Sequence, residues 1–211
     1  MNKALPLVTF DLGGVIVRIS TSLEEAAFRA GVKLRDAKPD QTRWSSLFVQ
    51  WQSGQVTDEA FFEQWAACVG RFDAHDAPKL SLGWLQHEFE GIQALLGSLH
   101  GLGVPMGCLS NTSRHHWDYM LAETDRYPSL RWLQHLHASH LIGVMKPDEA
   151  IYRAYERLTG YRPEDIVFFD DLQANVDGAK RCGWQAVRID PKADPAAQVR
   201  ARLREIGVLP G

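Results

Sequence analysis

The chain has 211 residues, 45% of them hydrophobic and 23% charged, with a formal net charge of −3. That length supports one full core, alone or with a small accessory lobe, and excludes two full-sized enzyme domains, while the balance excludes a disordered or fibrous chain. The slight acidic excess and the lack of a basic stripe argue against a surface that tracks nucleic acid, and Cys68, Cys108 and Cys182 are too scattered for a disulfide framework or a thiolate zinc site.

The N-terminus offers one lysine and then the apolar stretch Ala4 to Phe10, broken by Pro6 and ended by Asp11. It is too short for a signal segment or a membrane span, so a cytoplasmic protein is expected. Leu7 to Phe10 within it reads as a buried strand, with Asp11 and the pair Gly13-Gly14 following at once. From about Thr21 to Glu90 the pattern is helical, with no convincing strand. Ser22-Leu23-Glu24-Glu25 fits a capping box and Thr57-Asp58-Glu59 opens another helix. Trp44, Phe48, Trp51, Phe61, Phe62 and Trp65 recur at helical spacing, which predicts a small bundle on its own aromatic core; the other reading has a few of them facing a substrate.

Further on, Val104 to Leu109, Ile166 to Phe169 and Ala186 to Ile189 read as strands, while Leu141 to Val144 fits either a strand or a loop approaching the sheet. Helical patterns over Gly91 to Leu102, Ser113 to Glu123, Asp148 to Thr159, Gln173 to Cys182 and Pro195 to Ile206 alternate with them. The expectation is an α/β fold: a doubly wound parallel sheet formed by residues 1–18 and 91–211, with residues 19–90 inserted after the first strand as a helical cap. Ligands of such sheets bind beyond the carboxyl ends of the strands, which directs attention to the residues that end each run.

Asp11 ends the first run, and the glycines after it leave the backbone open around its carboxylate, a geometry that suits a nucleophile or an ordinary turn. Ser110 and Asn111 end the second run and offer a hydroxyl and an amide to an anion; Thr112 and Ser113 then open a helix, as an anion site or as a plain N-cap. Lys146 precedes Pro147 at the start of another helix, where it is either a surface charge or a partner for a phosphoryl group. Asp170 and Asp171 end the third run, and adjacent carboxylates there repel each other unless a cation compensates. With no cysteine or histidine beside them, a hard ion such as Mg2+ fits better than zinc.

Together, Phe10-Asp11-Leu12-Gly13-Gly14-Val15, Leu109-Ser110-Asn111-Thr112, Met145-Lys146-Pro147 and Phe168-Phe169-Asp170-Asp171-Leu172-Gln173-Ala174-Asn175 resemble the four ordered motifs of the haloacid dehalogenase superfamily. The helical insertion is similar to that superfamily's C1-type cap. The resemblance implies a magnesium-dependent phosphatase for a small phosphorylated metabolite, with Asp11 as nucleophile and Ser110 and Lys146 as phosphate binders, Lys146 sharing in catalysis. It also implies that Asn111 supports the phosphate loop, and that Asp171, helped by Asp170, joins Asp11 and the backbone carbonyl of Gly13 in binding Mg2+. Asp11-Leu12-Gly13, Leu109 to Thr112, Val167 to Asp171 and the segment Gly54 to Phe61 are further similar to the bacterial sugar-phosphate branch that includes α-D-glucose-1-phosphate phosphatase.

One departure stands out, because most phosphatases of the superfamily carry a second aspartate where this chain has Gly13. A missing general acid costs about 3–5 kcal/mol with a poor leaving group. The sugar-phosphate branch also has glycine there, and His115 and His116 read as surface or core histidines rather than as replacements. Two other readings are a metal-independent 2-haloacid dehalogenase, which the paired Asp170 and Asp171 oppose, and a non-catalytic binder of phosphorylated ligands, which the retention of Asp11 opposes.

Overall fold

The computed structural model describes residues 5–37 and 41–210. At its centre β1 (Leu7–Phe10) lies between β4 (Met106–Ser110) and β6 (Ile166–Asp170), with β5 (His135–Ala138) and β7 (Gln185–Arg188) at the two edges. Every pairing in this sheet is parallel. Alternate residues face opposite sides, so Val8 and Phe10 enter one apolar layer with α5 (Ile92–Gly101), α6 (Arg114–Ala122) and α10 (Pro195–Glu205). Leu7 enters the other, with α8 (Glu149–Thr159) and α9 (Gln173–Arg181), where Thr9 Oγ1 also meets the Tyr155 hydroxyl at 3.0 Å. Helices thus cover both faces of a doubly wound sheet, and the central strands are mostly apolar because neither face meets water.

Two strand expectations shift. β4 starts at Met106 rather than Val104 because Pro105 has no N–H to donate; its carbonyl still accepts from Val8 N–H at 2.9 Å. The fifth strand is His135–Ala138 and not the run Leu141 to Val144, since Leu141 and Ile142 close a short helix, α7 (Ser139–Ile142), that Gly143 ends at φ 91°.

Four helices, α1 (Leu23–Ala30), α2 (Gln41–Gln52), α3 (Asp58–Val69) and α4 (Ala77–Leu82), pack around an apolar cluster of their own. The expected caps are present: Ser22 Oγ accepts from Glu25 N–H at 3.1 Å, Glu25 returns a bond to Thr21 N–H at 2.8 Å, and Thr57 Oγ1 accepts from Ala60 N–H at 3.2 Å. Trp51 stacks on Phe61 with ring centroids 3.8 Å apart, so the aromatic repeat serves the lobe's core. The insertion is not wholly helical, however. β2 (Val17–Ile19) pairs antiparallel with β3 (Leu85–Glu88), and Leu85 and Phe89 join the core of the sheet rather than that of the lobe. Leu85-Gln86-His87-Glu88 holds one apolar residue, too few to show as a strand pattern. No helix among the described residues is long and apolar enough to cross a membrane.

Candidate active site

From β1 the chain adds β4 and β5 on one side and then returns to place β6 and β7 on the other. The direction of growth therefore switches between β1 and β6, and their carboxyl ends open a crevice. Asp11 lies one residue beyond β1, held in line by its N–H bond to Phe169 O at 2.8 Å, and Asp170 ends β6. Lys146 reaches both from the segment between α7 and α8. Its buried ammonium donates to Leu109 O at 2.7 Å and to Asp170 Oδ2 at 2.7 Å, and lies 3.1 Å from Asp11 Oδ1, which uses all three of its donors.

Around this ion pair the polar groups are closely partnered. Asp170 Oδ1 accepts from Leu172 N–H at 2.8 Å and from Asn175 Nδ2 at 3.0 Å, and Asn175 also lies 3.1 Å from Oδ2. Three donors, Lys146, Leu172 N–H and Asn175, thus hold both oxygens of Asp170. Asp170, the expected helper of Asp171 in metal binding, keeps a carboxylate oxygen within 4.8 Å of those of Asp11 and Asp171, while its oxygens also hold Lys146 and the turn into α9. Asn111 is likewise a clamp, with Nδ2 donating to Lys146 O and Oδ1 accepting from Lys146 N–H, both at 2.9 Å. The amide thus ties the end of β4 to the segment that carries Lys146.

Three groups remain open. Asp11 Oδ1 accepts from Leu12 N–H at 2.7 Å and faces Lys146, while Oδ2 has no hydrogen-bond partner among the described residues. Ser110 Oγ also has none there, and Ser110 lines a cavity of about 200 Å3 with Asp11, Gly13 and Thr112. Asp171 has no cation within ion-pair distance among the described residues, and it borders the larger cleft, about 1,030 Å3, that also holds Asp11 and Lys146. Gly14 makes that approach feasible. Its φ of 75° suits glycine, and a Cβ there would stand 2.5 Å from the Asp171 carboxyl carbon.

Three carboxylates against one ammonium leave an excess of two negative charges in a mostly buried site. Burial, reinforced by Asp170 and Asp171 and opposed by Lys146, pushes Asp11 up to about 7; burial and then Asp170 push Asp171 up to about 6. Burial works against the charged form of Lys146 too, but the attraction of Asp11 and Asp170 outweighs it and raises the lysine. A carboxylate oxygen from each of Asp11, Asp170 and Asp171 lies within 4.8 Å of the others, so a divalent cation held there would neutralise the excess. The oxygen-only donor set fits Mg2+.

Sequence patterns missed two neighbours. Asn175, five residues beyond Asp170, reaches back from the first turn of α9. Ile19 lies over Gly13, where an added Cβ would be 3.2 Å from its Cγ1, so apolar carbon borders the place of the expected second aspartate. The two histidines are structural: His116 Nε2 lies 2.7 Å from Ser81 Oγ and His115 Nε2 lies 3.1 Å from Pro78 O, joining α6 to α4. A separate cavity of about 380 Å3, bordered by Trp51, Arg114 and His140, contains none of the strand-end groups.

A family model described as haloacid dehalogenase-like hydrolase matches residues 5–183. The chain is 24% identical over 221 aligned residues to Phosphatase MT3486 of Mycobacterium tuberculosis, covering 98% of this chain and 97% of that one. Its fold is similar to that of a predicted HAD-like family hydrolase from Porphyromonas gingivalis, with a TM-score of 0.74, 25% identity and coverage of 95% and 98%. A HAD family enzyme from Bacteroides thetaiotaomicron, solved as a magnesium complex, aligns with a TM-score of 0.75 at 19% identity, covering 94% of this chain and all of that one. With the motifs gathered at the switch point of the sheet and this match over most of its length, the chain belongs to the haloacid dehalogenase-like hydrolases.

Proposed function

We propose that the protein is a magnesium-dependent phosphomonoesterase for a small phosphorylated metabolite of the sugar-phosphate class, working through an aspartyl-phosphate. The observation that carries this reading is the unequal state of the strand-end carboxylates: Asp170 has both oxygens bonded, whereas Asp11 and Asp171 keep open oxygens on one crevice. Asp11, Asp171 and the Gly13 carbonyl would hold Mg2+, which supplies positive charge that offsets the repulsion between carboxylate and phosphate. The Asp11 carboxylate attacks phosphorus in line, the P–O bond to the leaving group breaks, and water then hydrolyses the acyl phosphate. Ser110 Oγ donates to an equatorial phosphoryl oxygen. Lys146 exchanges its contact with Asp11, the longest of its three, for another such oxygen and keeps its hold on Asp170 and Leu109.

No acidic side chain stands at Gly13 and Ile19 borders its place, so a good leaving group is favoured. An anomeric phosphate such as glucose 1-phosphate departs as a hemiacetal oxyanion, better than the alkoxide of glucose 6-phosphate. A dehalogenase gains nothing from the open carboxylate of Asp171, which weighs against that alternative. The three cysteines are free thiols, in keeping with the reducing cytoplasm expected. A screen of phosphorylated sugars with and without Mg2+, coupled to acid-quench detection of phosphoenzyme in the wild type and Asp11→Asn, tests the whole reading. Phosphate release without a requirement for Asp11 would refute it.

A further inference from the structure

The cleft above Asp11 is far larger than a phosphoryl group requires, and its walls carry charge that the hydrolytic step does not use. Arg18 in β2 is exposed and has no carboxylate partner among the described residues; its guanidinium lies 4.6 Å from the centre of the Phe89 ring, which holds the fork against one wall. Lys192, in the loop after β7, borders the same cleft from another wall, and its ammonium has no ion-pair partner among the described residues either. The acidic groups of this cleft are otherwise occupied. Asp11 faces Lys146, and Glu25 receives Thr21 N–H at 2.8 Å, Gln86 Nε2 at 2.8 Å and Arg29 at 3.5 Å. Asp171 faces the proposed cation. The outer cleft is therefore left with an uncompensated positive pair.

We propose that Arg18 and Lys192 bind a second anionic group, a phosphate or a carboxylate, on the leaving portion of the substrate. The inference rests on the phosphatase reading and narrows its substrate class from neutral sugar phosphates to sugar phosphates with a second charge. Arg18 suits that task because its planar fork, already fixed on Phe89, gives up little freedom when two donors meet an anion. Three probes share the same anomeric phosphate: glucose 1-phosphate, glucuronate 1-phosphate and glucose 1,6-bisphosphate. At least one of the doubly anionic probes should exceed glucose 1-phosphate in kcat/KM by about tenfold, the discrimination of one charge-assisted hydrogen bond. Which one leads tells carboxylate from phosphate.

In the double variant Arg18→Gln, Lys192→Gln that ratio should fall to near one, while Arg157→Gln, on the exposed face of α8, leaves it unchanged. The preference should also weaken as salt is raised. Comparing ratios within each variant removes any general loss of folded enzyme. Equal use of all three probes by the wild type, or a preference that survives in the double variant, overturns the assignment while the phosphatase reading stands. Failure to release phosphate from any probe or from p-nitrophenyl phosphate overturns both.

Discussion

At the carboxyl ends of β1, β4 and β6 adhesion is polar and specific, whereas between α1 and α4 it is apolar and tolerant. Lys146 has all three donors placed and Asp170 has both oxygens bonded, and moving either side chain by an ångström would weaken the pairing of a buried charge. The lobe is held by stacked and edge-on aromatic rings, and in and beside it Trp65 Nε1 and Trp84 Nε1 are buried with no hydrogen-bond partner among the described residues. Apolar contact is non-directional, so the lobe can repack at modest expense while the strand ends cannot. On the proposed phosphatase reading, the rigid strand ends suit the chemistry and the more tolerant lobe suits selection of the leaving group.

The largest break in this comparison should come from Asp11→Asn, which keeps the shape of the side chain and removes its charge. Turnover should drop by at least about a thousandfold with melting temperature little changed, because the amide cannot attack phosphorus. A variant within tenfold of wild type refutes the nucleophile. Next, EDTA should stop turnover and added Mg2+ restore it. Mg2+ should also raise the melting temperature by relieving the repulsion among Asp11, Asp170 and Asp171. Full activity in metal-free buffer would return the dehalogenase reading.

The adjacent aspartates sharpen the comparison inside the core. Asp170→Ala leaves the buried Lys146 without its closest carboxylate and should destabilise the fold by about 3–5 kcal/mol. Asp171→Ala removes a group with no ion-pair partner among the described residues, so it should barely affect stability yet raise the Mg2+ concentration for half activity about 10- to 100-fold. Denaturant melts and magnesium titrations of both variants check this. Equal effects of the two on both readouts would erase the distinction between anchor and ligand.

The same contrast explains what could be seen in the sequence. Asp11, Ser110 and Asp170 were visible because each is a polar residue ending an apolar run, and the fold class followed from the alternation of such runs with helical patterns. The aromatic period of the lobe showed a bundle for the same reason. What stayed hidden depends on contacts between distant segments: the double bond of Asn111 to the Lys146 backbone, the reach of Asn175 to Asp170, and the side chain of Ile19 over Gly13. β3 and β5 were missed because His135-Leu136-His137-Ala138 and Leu85-Gln86-His87-Glu88 take their strand character from pairing rather than composition.

Where core and lobe meet, the contrast becomes pH-dependent. His116 is buried between Ser81 and the ring of Trp51, 5.2 Å away, and burial, with His115 adding to it, lowers it to about 4. Its unfolded value is near 6.5, so between about pH 4 and pH 6.5 the unfolded chain binds the extra proton and stability rises with pH. Acidification through that window should remove about 3 kcal/mol from this group alone. His116→Gln, which keeps a polar amide but does not titrate, should flatten the dependence of melting temperature on pH across that window. An unchanged profile would show that His116 is not the group responsible.

The smallest expected effect tests whether the core can be taught a leaving group that the lobe does not favour. Wild-type enzyme should prefer glucose 1-phosphate over glucose 6-phosphate in kcat/KM, because nothing at Gly13 protonates the departing oxygen. Adding Gly13→Asp supplies the acid, and Gly13 is not in the left-handed region, so the backbone accepts a side chain. The obstacle is Ile19, whose Cγ1 would lie 3.2 Å from the new Cβ, tight enough that the isoleucine must give way. The single variant should therefore gain little, whereas Gly13→Asp with Ile19→Ala should improve glucose 6-phosphate by about tenfold, the lower part of what a positioned acid contributes. Glucose 1-phosphate should gain less, since its leaving group needs less help, and the ratio between the two esters should narrow. If the ratio stays fixed in the double variant while the protein remains folded, protonation does not limit the reaction, and selection lies in the walls of the cleft instead.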